Sequence, residues 1–172
     1  MTENKGLREF LEVYRLQHPA EIVHVERPID SRYEVTAIVE KLEQARLFPV
    51  LVFHHVLVER KPSPYPLCTF VFSSRERLAR LLGVTPEEAG WEVYRRAQRP
   101  EQPLVVTRKE APVKEIIKTG EEVKLGDLPA PVHHELDPGH YLSAGFFTVY
   151  DPDTGLDNSA LHRGWKIGRA HV

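Results

Sequence analysis

The stretch Tyr141-Leu-Ser-Ala-Gly-Phe-Phe-Thr-Val-Tyr150, the turn Asp151-Pro-Asp-Thr-Gly155 and the run Asn158-Ser-Ala-Leu-His-Arg163 decide how this chain is read. Two short strands around a Gly-containing turn are expected. Such a hairpin should bring Ser143, Asn158 and Arg163 near one another. It would then offer a hydroxyl, a neutral amide oxygen and a guanidinium, groups able to meet a phosphate, a metal and a carboxylate. This is the outline of a cofactor site. The sequence runs only to Val172, so half a site is expected.

Upstream, the pattern changes. Leu7, Phe10, Leu11 and Tyr14 recur at helical spacing and predict an amphipathic opening helix. Residues 21–26 alternate and carry β-branched side chains, as a strand does. Ser31 and Glu34 have capping-box spacing before Val35, Ile38, Val39 and Leu42, which predicts a helix over 33–46. Residues 49–53 suit a buried strand, and 67–72 another after the proline-rich loop 61–66. Ser73 and Glu76 then predict a helix with Leu78, Leu81 and Leu82 on its buried side and Gly83 as its left-handed stop. Thr85-Pro-Glu-Glu88 is a further helix start, with Arg95 and Arg96 suited to the other end. This alternation predicts a small α/β domain over 1–103. From 104 the helical periodicity fades, 112–120 and 141–150 read as strands, and a β-rich domain is expected over 104–165.

Apolar residues at 41% and charged residues at 28% describe a globular chain able to bury a core. The formal charge of −2 gives no broad electrostatic support for nucleic acid or an anionic membrane. No apolar run approaches the roughly 18 residues that span a bilayer, and the polar first six residues do not begin a signal peptide. The single cysteine, Cys68, excludes an internal disulfide. A cytoplasmic protein acting on a small molecule is expected.

The order Leu128-Pro-Ala-Pro131, Asp137-Pro-Gly-His-Tyr141, the Asp-Pro-Asp-Thr-Gly turn, Asn158 and Arg163 resembles the UbiD family of decarboxylases. Leu7-Arg-Glu-Phe-Leu11, Glu21-Ile-Val-His-Val25, Pro28-Ile-Asp30 and Phe72-Ser-Ser-Arg-Glu-Arg-Leu78 resemble that family's amino-terminal domain. The resemblance implies an α+β chain: a small α/β domain followed by the first strands of an FMN-binding split β-barrel. It implies a carboxy-lyase that removes or adds carboxylate on aromatic or α,β-unsaturated acids without net oxidation. The cofactors implied are prenylated FMN, Mn2+ and K+, and the full-length form is expected to be a homo-oligomer. In the family the modified flavin acts as an electron sink while CO2 leaves.

By the same resemblance Asn158 is a metal ligand, and Arg163 is both the catalytic arginine and a cofactor contact. Ser143, Ala160, Leu161 and His162 line the cofactor, the last two partly through backbone groups. Each has a plainer alternative. Asn158 suits a turn, Arg163 a surface cation, Ser143 a solvent-facing hydroxyl and Ala160 simple packing. His162 departs from the aromatic or small residue the family pattern leads us to expect. The family's further acidic residues and metal-binding histidine have no match here, so the chain is expected to be inactive alone, with poor solubility from an unclosed barrel edge. A noncatalytic flavin- or phosphate-binding module, or an interaction domain, is the alternative.

Adjacent histidines on a strand point to opposite faces, so His133-His134 and His54-His55 are assigned to packing or solvent. Arg75, Arg77 and Arg80 read as a solvated basic face. The final Lys166-Ile-Gly-Arg-Ala-His-Val172 matches the translation of AAG ATC GGA AGA GCA CAC GTC, which contains the start of a common sequencing-adapter oligonucleotide. A non-native tail over 166–172 is therefore expected.

Overall fold

A computed structural model describes residues 6–101 and 104–168. In chain order it contains α1 (Leu7–Gln17), β1 (Ile22–Val25), β2 (Ile29–Asp30), α2 (Glu34–Gln44), β3 (Val50–Phe53) and β4 (Val56–Val58). These are followed by β5 (Lys61–Pro62), β6 (Leu67–Thr69), α3 (Arg75–Leu82), α4 (Ala89–Ala97), β7 (Tyr141–Tyr150) and β8 (Asp157–Trp165). The architecture is α+β, as expected. Residues 169–172 of the expected tail lie outside the described residues.

β1 and β3 run parallel and β6 joins β3 antiparallel, giving the order β1-β3-β6. Each face of this sheet is covered by one helix. Tyr14, Phe10 and Leu11 of α1 pack on Ile22, Val50 and Val52. Val35, Ile38, Val39 and Leu42 of α2 pack with Val25, Leu51 and Phe53 on the other face, joined by Ile29 and Val56. The alternation of strand side chains sorts these residues into the two clusters, and β3, buried at every position, is the centre of both. β2, β4 and β5 form a second small sheet.

Several local expectations are corrected. Ser31 does not cap α2: its N–H donates to the Leu57 carbonyl at 2.8 Å and its carbonyl accepts from Val132 N–H at 3.0 Å. Its backbone is thus held in extended pairing and its side chain turns inward, fully buried. Tyr33, at φ 68°, precedes α2 instead, and Glu34 reaches back to the Asp30 N–H at 2.6 Å. Ser74, one residue later than Ser73, caps α3 by accepting from Arg77 N–H at 3.1 Å. Gly83 ends α3 at φ 73°, as expected. The strand at 67–72 stops at Thr69 because Phe70 takes φ 67°.

Arg77 is not on a solvated face. It is 1% exposed, and its guanidinium donates to the Phe70 carbonyl at 2.9 Å, the Val71 carbonyl at 3.1 Å and the Phe48 carbonyl. Its Nε lies 3.4 Å from Glu21, which also pairs with Arg80. Ala79 is the other buried residue of α3, while Leu81 is exposed.

The strand expected over 112–120 is absent. Short 3-10 turns occupy Pro112–Lys114 and Gly120–Glu122. Pro112 lacks an N–H, and with no neighbouring strand to pair with, Val113 and Ile116 remain exposed. The chain then returns to the α/β unit. Val132 pairs with Arg32, and Ser63 Oγ donates to the Asp127 carbonyl at 2.7 Å. Tyr141 N–H donates to Pro131 O at 2.8 Å, which anchors the start of β7 beside α2 and β6.

Candidate functional site

β7 and β8 pair antiparallel from Tyr141 opposite Trp165 to Tyr150 opposite Asp157. Asp151 shapes the turn by accepting from the N–H groups of Asp153 and Thr154 at 2.8 and 2.9 Å, which holds its carboxyl below the usual range. The ladder is irregular at one point. Leu142 faces Gly164 and Gly145 faces His162, so Ser143 and Ala144 together oppose Arg163. This is a β-bulge, a device that redirects side chains next to functional sites. A methyl group at Gly145 would lie 3.0 Å from the His162 carbonyl oxygen and 2.7 Å from the Phe147 ring, so the close approach after the bulge needs glycine.

Alternation along β8 puts Asn158, Ala160 and His162 on one face and Leu161 and Arg163 on the other. The His162 ring meets Phe147 edge-on at 5.6 Å, and the Arg163 guanidinium lies over Tyr141, 4.7 Å from its ring centre. The hairpin therefore does not gather Ser143, Asn158 and Arg163 at one point. Ser143 and Arg163 are neighbours at the bulge, whereas Asn158 pairs with Val149 near the turn, about 16 Å along the strand. Strand rise carries Asn158 away from the bulge, and the odd spacing of five sets it and Arg163 on opposite faces.

At the Arg163 end, Tyr141, Ser143, Ala144 and Gly145 form one wall of a cleft of about 420 Å³. Val35, Thr36, Cys68 and His133 contribute the opposite side. This volume falls within the range of small-molecule sites, about 300–1,000 Å³. Of the expected residues only Ser143 lines the cleft. His133 Nδ1 lies 3.3 Å from Thr36 Oγ1, and its Nε2 is buried without a hydrogen-bond partner. Burial pushes the His133 pKa down, the Asp137 carboxylate opposes this, and His134 and Arg163 push it further down. Arg163 thus bears electrostatically on the cleft. Burial raises the Cys68 thiol pKa, which disfavours the thiolate.

In the sequence Tyr141 stands only as the end of the Asp137–Tyr141 motif, and His133 only as one of an adjacent pair assigned to packing or solvent. Tyr141 begins the strand that carries Ser143, a signal that was available; the burial of His133 depends on α2, nearly 100 positions earlier, and was not. Both outer edges of the hairpin are unpaired among the described residues. Both faces are also apolar and exposed, with Phe146 68% and Leu161 71% exposed on one and Val149 62% on the other. A two-stranded ribbon of this kind is stable only when further structure covers it.

Residues 13–97 match the family described as 3-octaprenyl-4-hydroxybenzoate carboxy-lyase N-terminal domain, and residues 104–172 match its Rift-related domain. The chain belongs to the UbiD family. Pyrrole-2-carboxylic acid decarboxylase of Pseudomonas aeruginosa is 31% identical over 169 residues, covering 91% of this chain and 32% of the relative. Ferulic acid decarboxylase 1 of Saccharomyces cerevisiae is 28% identical, covering 96% of this chain and 35% of the relative. The UbiD-class enzyme HmfF of Pelotomaculum thermopropionicum, solved with prFMN, superimposes with a TM-score of 0.80 at 28% identity, over 93% of this chain and 35% of that one. Vanillic acid decarboxylase of Sedimentibacter hydroxybenzoicus, in closed form, gives 0.82 at 26% identity, over 98% and 36%. The chain thus spans about one third of the length of the UbiD relatives it matches. No helix among the described residues is long and apolar enough to cross a membrane.

Proposed function

We propose that this chain supplies the opening third of a prenylated-FMN-dependent carboxy-lyase acting on an aromatic or α,β-unsaturated acid. The observation that carries this reading is the bulged hairpin, with Arg163 over Tyr141 beside the cleft and Asn158 far along the same strand. Because Asn158 and Arg163 lie on opposite faces of β8, an elongated cofactor would run along the strand's unpaired outer edge, its phosphate toward Asn158 and its ring system toward Arg163. The residues fit such a group. The Asn158 side chain is exposed, Arg163 has no carboxylate partner among the described residues, and the outer edge of β8 offers unpaired backbone donors and acceptors.

In this reading the Asn158 amide oxygen would be a ligand for a hard divalent cation, Mn2+, which together with K+ would offset the charge of the cofactor phosphate. Ala160, Leu161 and His162 meet the cofactor through β8, and Ser143 contributes its hydroxyl from the bulge. Arg163 grips the substrate carboxylate through two parallel hydrogen bonds and stays charged at any working pH. Its fixed plane sets the orientation of the carboxylate. The prenylated flavin, when bound, supplies the electron sink that C–C cleavage requires. The proton that replaces CO2 on the substrate carbon comes from an acid elsewhere in the complete site.

The domain division at 103/104 and a split-barrel course for the second domain belong to the same proposal, as do a homo-oligomeric full-length enzyme and a cytoplasmic location. The exposed faces of the hairpin support the barrel, because they need covering strands. The test is a hybrid in which residues 6–165 replace the matching opening third of HmfF. It should retain prenylated flavin through purification and release CO2 from an unsaturated acid. A folded hybrid without flavin would refute the reading.

A further inference from the structure

We propose a divalent transition-metal site, of the kind that takes Zn2+, formed by His24, Glu26 and His54 in the α/β unit. His54 and His55, expected to diverge as strand neighbours, lie instead in the bend after β3 and reach different oxygens of the same Glu26 carboxylate. The site takes His24 from β1 and His54 from the bend that follows β3.

His24 and Glu26 are two positions apart, at the carboxyl end of β1 and just beyond it, so both project to one face. The parallel register sets Val25 beside Phe53, and His54 N–H continues the pairing by donating to the Val25 carbonyl at 3.1 Å. This places His54 next to Glu26 on the face that carries His24. Outside the carboxyl ends of parallel strands is where α/β sheets bind ligands.

His24 Nδ1 lies 2.8 Å from His54 Nε2, and Glu26 Oε1 lies 3.6 Å from the same His54 nitrogen. One ligand atom from each of the three residues falls within a 4.8 Å set. Ligands at about 2.0–2.2 Å from a tetrahedral ion are spaced about 3.3 Å apart, so modest side-chain adjustment admits the metal. The two imidazole rings lie within 16° of parallel with centroids 5.1 Å apart, set end to end so that one nitrogen donates to the other; turning the exposed His24 ring breaks this hydrogen bond and aims both nitrogens at a shared ion. His55 Nε2 lies 3.9 Å from the other Glu26 oxygen and can steady the carboxylate from behind. Two imidazoles and one carboxylate select a first-row ion such as Zn2+ over Mg2+ or Ca2+, and the exposed side leaves coordination positions for water. The ion would tie the end of β1 to the segment after β3, stabilising the sheet in proportion to its free concentration.

The test is Zn2+ binding to the 172-residue chain by equilibrium dialysis with elemental analysis, together with the visible spectrum of the Co2+ form. One equivalent should bind, with Co2+ bands of a four- or five-coordinate nitrogen/oxygen site. His24→Ala and His54→Ala should each weaken binding by about 100-fold, at least the cost of losing an outer-shell partner. His134→Ala, which removes an exposed histidine outside the cluster, should leave binding unchanged. All three residues are accessible enough for the variants to keep their circular dichroism. As a readout independent of affinity, Zn2+ should protect His24 and His54 from modification by diethyl pyrocarbonate. Absence of a bound equivalent at micromolar Zn2+, or equal binding by the His24→Ala and His54→Ala variants, would overturn the assignment.

Discussion

The guanidinium of Arg163 lies over the ring of Tyr141, 4.7 Å from its centre, and Tyr141 in turn stacks on Trp165 at 6.1 Å. Tyr141 is largely buried and tied through its N–H to Pro131, so it forms a fixed floor for the cation. A cation over an aromatic face gains about 0.5–2 kcal/mol, depending on exposure. In the HmfF hybrid, Tyr141→Leu should therefore lower CO2 release while leaving flavin content unchanged, and Tyr141→Phe should behave like the parent. Loss of flavin along with activity in Tyr141→Leu would instead assign the residue a purely structural role.

His133 makes stability depend on pH. Burial is the first cause of its lowered pKa, so the folded chain prefers the neutral imidazole while the unfolded chain takes up a proton at about 6.5. The unfolded state then binds more protons as pH falls, and its share of the equilibrium grows. The His133 contribution should be intact above pH 6.5 and decline as pH drops from there toward the lower folded value. Urea midpoints at pH 8 and pH 5 should differ less in His133→Gln than in the parent. Identical pH slopes would contradict this.

Buried Arg77 should matter more to stability than exposed basic residues on the same helix. Truncation to Ala leaves the carbonyls of Phe48, Phe70 and Val71 without their donor and removes one of the two arginines beside Glu21. Breaking a buried charged pair costs about 3–5 kcal/mol. Arg77→Ala should fall in this range by chemical denaturation, and Arg75→Ala should be near neutral.

The cap of α3 offers a sharper comparison. Ser74→Ala should cost about 1 kcal/mol, because the Arg77 N–H loses its acceptor, whereas Ser73→Ala should cost almost nothing. Gly83→Ala should also cost about 1 kcal/mol, since φ 73° is a left-handed conformation that a Cβ disfavours. Equal midpoints for the two serine variants would restore Ser73 as the cap.

The helices, the buried central strand and the hairpin were legible because their signals are local: apolar spacing in α1 and α2, the run 50–53, and a glycine turn between two strands. Signals that depended on distant partners were not. Ser31 looked like a cap because its pairing with Leu57 and Val132 is invisible in the spacing. Arg77 looked solvated because its carbonyl partners are spread over 48–71, beyond any helical repeat. Residues 112–120 looked extended, yet an apolar segment becomes a strand only when another strand is available to pair with it. At the site, residue types and order pointed to a cofactor, while the bulge that sets Ser143 against Arg163 and the cleft beside it depend on how the hairpin meets α2 and β6.

The most direct test of the central claim separates the two ends of the hairpin in the HmfF hybrid, by measuring prenylated-flavin content and CO2 release together. Asn158→Ala should lose flavin and activity together, because the metal–phosphate anchor is removed. Arg163→Gln should retain most of the flavin, which Asn158 and the rest of β8 still hold, and lose CO2 release, because the carboxylate clamp is removed. Parent-like flavin content and turnover in both variants would contradict the account.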